Sequence, residues 1–170
     1  TLIAGLQMTG TSFGIAILIA TDPNDDGVYF VARASADAVT PIGLPTEIEI
    51  EARQVNLAIN SGTDGAADFT HVNSTFGGSL AVDTGGEELG SPVTVDIDFD
   101  SELYEASANL ILNLGGYVYV DGFFAFRRGP AQVVTLTDGS QKQVTSFTIG
   151  GANANVFFGI GGPSQTDTNG

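Results

Sequence analysis

A run of acidic and amide side chains at 22–27, DPNDDG, is the segment best suited to bind a metal ion. Asp22, Asn24 and Asp26 alternate, and a glycine follows, as in the first half of an oxygen-ligand calcium loop. A complete helix-loop-helix site would need a bidentate acid at the twelfth position, but Arg33 stands there. The segment therefore predicts either a Ca²⁺ loop with these three ligands or a hairpin turn that needs no metal.

Catalytic groups are harder to assemble from this sequence. Asp96, Asp98 and Asp100 alternate along one strand, about 6.5 to 7 Å apart, which is a separation used by carboxylate pairs in glycoside hydrolysis. Such a pair also needs an apolar pocket that raises one pKa, and no pattern here supplies one. His71 is the one histidine, so any serine relay would need it, and no G-x-S-x-G segment accompanies it. We expect no enzyme activity.

Aromatic residues cluster at 117–126, where Tyr117 and Tyr119 precede three phenylalanines. Exposed aromatic rings form sugar-binding platforms, most often with tryptophan, and this chain has none. The cluster therefore indicates core packing, or alternatively a surface for a glycan or another partner with Tyr117 and Tyr119 as its binding residues.

Composition excludes several classes of function. Five basic residues stand against 20 acidic ones, and the resulting net charge of −15 would repel nucleic acid and anionic lipid surfaces. The absence of cysteine excludes disulfides and thiolate-ligated zinc. No apolar run approaches the roughly 18 residues of a spanning helix, so we expect no membrane insertion. We expect no required cofactor, with Ca²⁺ as the one candidate ion.

Alternation of apolar and polar residues dominates the chain and predicts β-strands. In VTVDIDFD, at 93–100, the apolar residues point to the core and the aspartates to solvent. In TEIEIEA, Ile48, Ile50 and Ala52 point inward and the glutamates outward. A helix could form only at 101–109. The fold prediction is all-β, as a long-stranded sandwich, prism or flattened solenoid.

Internal similarity suggests that this single domain, 1–170, consists of two related halves. GVYFV and GYVYV lie in corresponding positions, as do ARQVNLAINSG and NANVFFGIGG, and an apolar strand precedes each half. The halves would span 6–65 and 93–162, joined by the Gly-rich segment 66–92. Each half would cover the apolar face of the other.

Three strings carry a resemblance to a known kind of protein: LNLGGYVYVDGFFAFRRG, VTLTDG and SFTIGGANANVFFGIGGP. Together they resemble the tandem β-module repeats of giant secreted or surface bacterial proteins, which are adhesin-like or fibre-forming. GLQMTGTSFGIAILIA, at the front, looks like the opening of the next such module. The resemblance implies a structural or adhesive role, in an extracellular or cell-surface location, with copies of the chain or adjacent modules as partners.

The long apolar strands at the two ends of the chain also predict self-association. Residues 6–20 and 153–161 must be covered, either by the chain's own sheets or by strand pairing with the next copy. A head-to-tail contact that does not close on itself propagates into a filament. The sequence therefore predicts a structural module of an extracellular filament, sheath or giant surface adhesin. The alternative is a surface carbohydrate- or partner-binding β-module.

Overall fold

A computed structural model of the chain describes residues 4–71, 75–85 and 94–161, and it confirms an all-β fold. The described residues form nine strands, and none belongs to a helix long and apolar enough to cross a membrane. The strands are β1 Gly5–Thr9, β2 Ser12–Ile19, β3 Val28–Ile42, β4 Ile48–Gly62, β5 Leu80–Asp83, β6 Thr94–Ile97, β7 Leu103–Leu114, β8 Val118–Thr135 and β9 Gln141–Phe158.

Seven of these strands form one antiparallel sheet, with β1 and β2 together at one edge and β9 at the other. Between the two edges the order is β3, β4, β7 and β8. β1 and β2 lie end to end along β3, because Thr9 pairs with Ala38 and Ser12 pairs with Ser35 in one continuous register. The seven strands therefore occupy six positions, and neighbours in the sheet run in opposite directions.

A small second sheet, β5 and β6, packs on one face of the large sheet over β2 and β3. The core between the two layers consists of Val31, Phe69, Ile97 and Phe99, all buried. The predicted alternation at 93–100 is confirmed where the structure describes it, because Ile97 and Phe99 are buried while the aspartates beside them are exposed. Val93 lies outside the described residues.

Asn60 anchors the long excursion between β4 and β7. Its side chain is fully buried, and its Nδ2 donates hydrogen bonds to the carbonyl oxygens of Ala67 at 2.8 Å and Ser101 at 2.9 Å. These two carbonyls lie near the beginning and the end of the excursion. One side chain therefore fixes both ends of the segment that carries the second layer.

We expect Asn60→Ala to lower the free energy of unfolding by about 2 to 3 kcal/mol, because it leaves two carbonyl groups without their donor. Urea denaturation of the monomeric chain measures this loss. Asn155→Ala is the matched control, since the Asn155 amide makes a single long, exposed hydrogen bond and its removal should cost less than about 1 kcal/mol. Equal losses in the two variants would contradict the anchoring role of Asn60.

A line of irregular residues crosses the large sheet. Gly10, Gln54 and Asn153 have φ of 57°, 52° and 52°, in the left-handed region, and the last two are the non-glycine residues with positive φ in the described chain. The β4–β7 register shifts beside Gln54, and the β8–β9 register shifts beside Asn153 and again between Arg128 and Ala131. The shifts at Gln54 and Asn153 are β-bulges, and each reverses the alternation of the strand that contains it.

The two bulges share a local structure. Asn56 Nδ2 donates to the carbonyl oxygen of Gln54 at 3.0 Å, and Asn155 Nδ2 donates to that of Asn153 at 3.4 Å. Beside the second bulge, a Cβ on Gly122 would lie 2.7 Å from Ala154 Cα, so glycine is needed for the close approach of β8 and β9.

The bulges explain why one face of the sheet is apolar along its whole length. In β4 the apolar residues Ile48, Ile50 and Ala52 occupy alternate positions, but the next ones, Val55 and onward, are out of phase with them. In a regular strand the two sets would point to opposite faces. The bulge at Gln54 absorbs the extra residue, so both sets lie on the same face.

The long strands of the two predicted halves lie side by side in the large sheet, and the second half covers the first only where β6 and Phe99 pack on β2 and β3. Strands β1 to β4 form one part of the sheet, and β7 to β9 form the other. The segment 66–92 contributes β5 to the small sheet, and β6 of the second half pairs with it. Gly162, the end of the second half, lies outside the described residues. A common origin of the halves stays a prediction.

Candidate assembly interfaces

Both edges of the large sheet are open. Within the described residues, the outer side of β1 and β2 pairs with no strand, and neither does the outer side of β9. Open edges are usually protected by charged residues or proline. Here β1 and β2 contain neither, and β9 contains Lys142 alone. The two edges therefore lack the usual protection against pairing with another chain.

Large apolar side chains are exposed along these edges. Ile17 and Ile19 in β2 are 61% and 68% exposed, and Ile149 and Phe158 in β9 are 72% and 73% exposed. A soluble monomer seldom leaves so many aliphatic and aromatic side chains in contact with water in one continuous surface. The predicted apolar strands at 6–20 and 153–161 thus both lie at edges, and within the described chain the small sheet covers one side of β2 but leaves its outer edge and its apolar face open.

We call one face of the large sheet the apolar face. It consists of rows of mostly apolar residues that lie opposite one another on neighbouring strands. Beyond the bulges, toward β2, a first row contains Phe13, Ala34, Leu57, Ala106, Phe126 and Ile149. A second contains Ile15, Ala32, Ile59, Tyr104, Arg128 and Phe147. On the other side of the bulges a row contains Ile50, Leu112, Val120 and Val156.

The opposite face, here called the polar face, carries the small sheet and most of the sheet's charged groups. Arg33, which is paired with Asp98, lies 4.8 Å from the centre of the Phe99 ring. Arg53 Nη2 lies 2.8 Å from Glu51 Oε2, and Arg127 Nε lies 3.7 Å from Glu105 Oε2. The glutamates at 49 and 51 therefore lie on the polar face while Ile48, Ile50 and Ala52 lie on the apolar face, which confirms the alternation. The predicted inward direction is wrong for Ile50, because it is 40% exposed on a face that the described chain does not cover, whereas the Glu51 side chain is 19% exposed.

The structure brings together a different set of acidic residues from the predicted Asp22, Asn24 and Asp26. Carboxylate oxygens of Asp25, Asp26 and Asp64 lie within 4.8 Å of one another, and all three residues are exposed. Asp22 is not in this group. Its Oδ1 accepts from the Asn24 backbone N–H at 2.9 Å and from Asn24 Nδ2 at 3.1 Å. These bonds, the backbone one first, lower the pKa of Asp22.

The loop at 22–27 thus has the internal hydrogen bonds of the metal-free turn that was the alternative interpretation. Ca²⁺ binding stays a prediction. Sequence reasoning missed Asp64 because the whole of β3 and β4 separates it from Asp25 and Asp26 along the chain. No local spacing therefore connects the three residues.

The candidate catalytic groups are all exposed in the structure. Asp98 pairs with Arg33, and Asp96 and Asp100 are exposed beside it. The backbone N–H of His71 donates to Asp68 Oδ1 at 2.9 Å in an exposed turn. Asn60 is the one buried polar or charged residue of the described chain, so the carboxylates in the described part are at least partly accessible to water.

The two candidate binding tyrosines lie at one end of the sheet. Tyr117 is 62% exposed in the turn before β8, and its carbonyl oxygen accepts from the Gly159 N–H at 2.9 Å. Tyr119 is half-buried on the polar face, where it lies opposite Asn113 and Phe157. Tyr117 is therefore the more accessible of the two rings.

Acid should weaken the turns of this sheet. Asp138, between β8 and β9, accepts from the hydroxyl of Ser140 at 2.7 Å and from its N–H at 2.9 Å, and these bonds lower the pKa of Asp138 below its ordinary 3.8. A lowered folded-state pKa gives stability that is present above the unfolded value and is lost as pH falls through the folded value. Melting temperatures of wild type and Asp138→Ala should therefore differ at pH 6 and converge as the pH falls well below 3.8. A constant difference down to pH 2 would contradict this.

No family model, curated protein or solved structure matches this chain.

Proposed function

We propose that this chain is a structural module of an extracellular filament, sheath or giant surface adhesin, joined end to end by pairing of β9 with the β1–β2 edge of the next copy or adjacent module. The observation that carries the proposal is the pair of open, apolar edges at opposite ends of one sheet. Each edge can form hydrogen bonds with the other, because an unpaired strand offers a row of backbone donors and acceptors.

Strand direction supports this head-to-tail arrangement. Neighbouring strands are antiparallel across six positions, so the two edges run in opposite directions. A second copy in the same orientation therefore presents its β1 and β2 antiparallel to β9 of the first. The contact uses two different surfaces and leaves one edge free at each end, so it propagates without closing.

The bulges select one register for this contact. Apolar residues of both edges fall on the same face only when Gly10, the left-handed residue between β1 and β2, lies beside the bulge at Asn153. In that register β1 lies opposite 155–159 and β2 lies opposite 145–152, one residue for one, as β1 and β2 do along β3. The apolar pairs are Leu6 with Phe158, Met8 with Val156, Phe13 with Gly151, Ile15 with Ile149 and Ile17 with Phe147.

Disulfide cross-linking tests this register, because the chain has no cysteine of its own. In a chain with Ile15→Cys and Ile149→Cys, we expect the new cysteines of neighbouring copies to lie about 5 Å apart between Cα atoms, within disulfide range. Within one copy they lie about 24 Å apart, across five strand spacings, so each disulfide must join two copies. Oxidation should give a ladder of multimers on a non-reducing gel.

The matched control carries Ile15→Cys with Thr145→Cys, which displaces the second cysteine by about 13 Å along β9. It should give no ladder. Failure of both pairs, at concentrations where the chain assembles, would overturn edge pairing. Equal ladders from both pairs would overturn the register and indicate unspecific association.

The alternative function, a surface module that binds a carbohydrate or another partner, is favoured by one observation, the exposed ring of Tyr117. Glycan-array binding that is lost in Tyr117→Ala and in Tyr119→Ala would support it. Under the structural proposal, neither substitution changes the disulfide ladder, because neither tyrosine lies in an edge contact.

A further inference from the structure

We propose that the apolar face of this chain packs against the same face of a second copy, which makes a two-layer sandwich with the two polar faces outside. The surface involved is the broad side of the sheet, and end-to-end pairing uses its edges. The proposal goes beyond the filament contact and does not depend on it.

The size of the face fits a stable interface. Six strand positions about 4.8 Å apart, with strands of about 15 residues rising about 3.3 Å each, give a face of roughly 29 by 50 Å, or about 1,400 Å². A standard interface buries only about 800 Å² on each partner. Large side chains remain exposed on central strands as well as at the edges, with Ile50 and Leu57 of β4 each 40% exposed.

The charge distribution fits a second copy. Among the rows that define the apolar face, Arg128 is the charged residue. Arg128 Nη1 lies 3.1 Å from Glu102 Oε1, and the Arg128 guanidinium lies 5.0 Å from the centre of the Tyr104 ring. The pairing of two such faces therefore buries no charge without a partner. The same chain carries a net charge of −15, which disfavours an anionic lipid surface as the occupant.

The bulges are the second observation that points to a partner covering the whole length of the apolar face. Without them, the apolar residues of β4 would divide between the two faces at Gln54, and each face would have an apolar patch of half the length. With them, a single face is apolar from one end of the strands to the other. Two twisted sheets of this kind pack with aligned strands about 10 Å apart.

Adjacent phenylalanines of β8 provide a matched test. Phe124 lies on the apolar face and Phe123 on the polar face, where it is 38% exposed. We expect wild-type filaments of the 170-residue chain to contain two chains per axial repeat when their mass per length is measured by electron microscopy. Phe124→Glu should reduce the mass per length two-fold, and Phe123→Glu should leave it unchanged. Leu57→Glu repeats the test on β4 if Phe124→Glu does not fold.

Every outcome in which the chain assembles separates the two proposals, and a wild-type chain that stays monomeric overturns both. Discrete dimers that become monomers on Phe124→Glu or Leu57→Glu, with no filaments, would support face pairing and contradict end-to-end pairing. Filaments with one chain per repeat would overturn face pairing and leave end-to-end pairing intact. Paired filaments that persist unchanged in the folded apolar-face variants would also overturn face pairing, as would a wild-type chain that stays monomeric.

Discussion

Gln54→Pro should destroy the cooperative folding of this chain. Proline fixes φ near −65° and cannot adopt the left-handed conformation of Gln54, so the bulge cannot form. In a regular strand of unchanged length, either Ile48, Ile50 and Ala52 or Val55 and the residues after it must turn to the polar face. Each large apolar side chain that turns loses part of the about 1.5 to 3 kcal/mol of full burial and displaces a polar residue. We expect a total loss above about 4 kcal/mol, comparable to the whole stability of many domains.

Gln54→Gly is the control for this substitution. It replaces a strained left-handed glutamine, φ 52°, with the residue that adopts this conformation most easily, so the bulge is kept. We expect stability equal to wild type or higher by up to about 1 kcal/mol. Urea denaturation followed by circular dichroism measures both variants. A Gln54→Pro variant that unfolds like wild type would show that the bulge does not maintain the apolar face.

Phe69→Ala should separate the two layers of the fold. Phe69 is 1% exposed in the core, its ring centre lies 5.4 Å from that of Phe76, and its backbone N–H donates to Phe99 O at 2.9 Å. Truncation of a buried phenylalanine costs about 3 to 5 kcal/mol, because it removes buried area and leaves a cavity. Thermal and urea denaturation of the monomer should show this loss.

Phe147→Ala is the matched control on the β9 edge, where the ring is 60% exposed. Its cost to the unfolding of the monomer should be below about 1 kcal/mol, because little buried area is lost. It should instead weaken assembly, since Phe147 pairs with Ile17 of the next copy in the proposed register. A larger loss of monomer stability in Phe147→Ala than in Phe69→Ala would contradict this division between core and interface.

The strands and their alternation could be predicted from the sequence because they are local properties. The glutamates at 49 and 51 lie on the polar face, and Ile97 and Phe99 are buried, as the period of two requires. Glycine and proline, which often interrupt strands, do not end them here. IGGAN and RRGP lie inside β9 and β8, which pass through them with a register shift. The helix candidate at 101–109 contains the start of β7.

The bulges were missed, although the sequence contains a signal for them. In 48–59 the apolar residues change from even to odd positions at Gln54, and in 147–158 they change from odd to even positions at Asn153. A change of phase within a continuous strand requires one extra residue if one face is to remain apolar. The approach of Asp64 to Asp25 and Asp26, and the side-by-side halves, depend on long-range pairing that no local pattern specifies.

The axial spacing of the native assembly tests end-to-end pairing most directly. Six strand positions at about 4.8 Å give a module repeat of about 29 Å, with strands perpendicular to the filament axis. Electron microscopy or fibre diffraction of the assembled chain should therefore show an axial repeat of about 29 Å and a meridional reflection near 4.8 Å. A repeat of about 50 Å, the length of a strand, or a chain that stays monomeric at high concentration, would contradict edge-to-edge assembly.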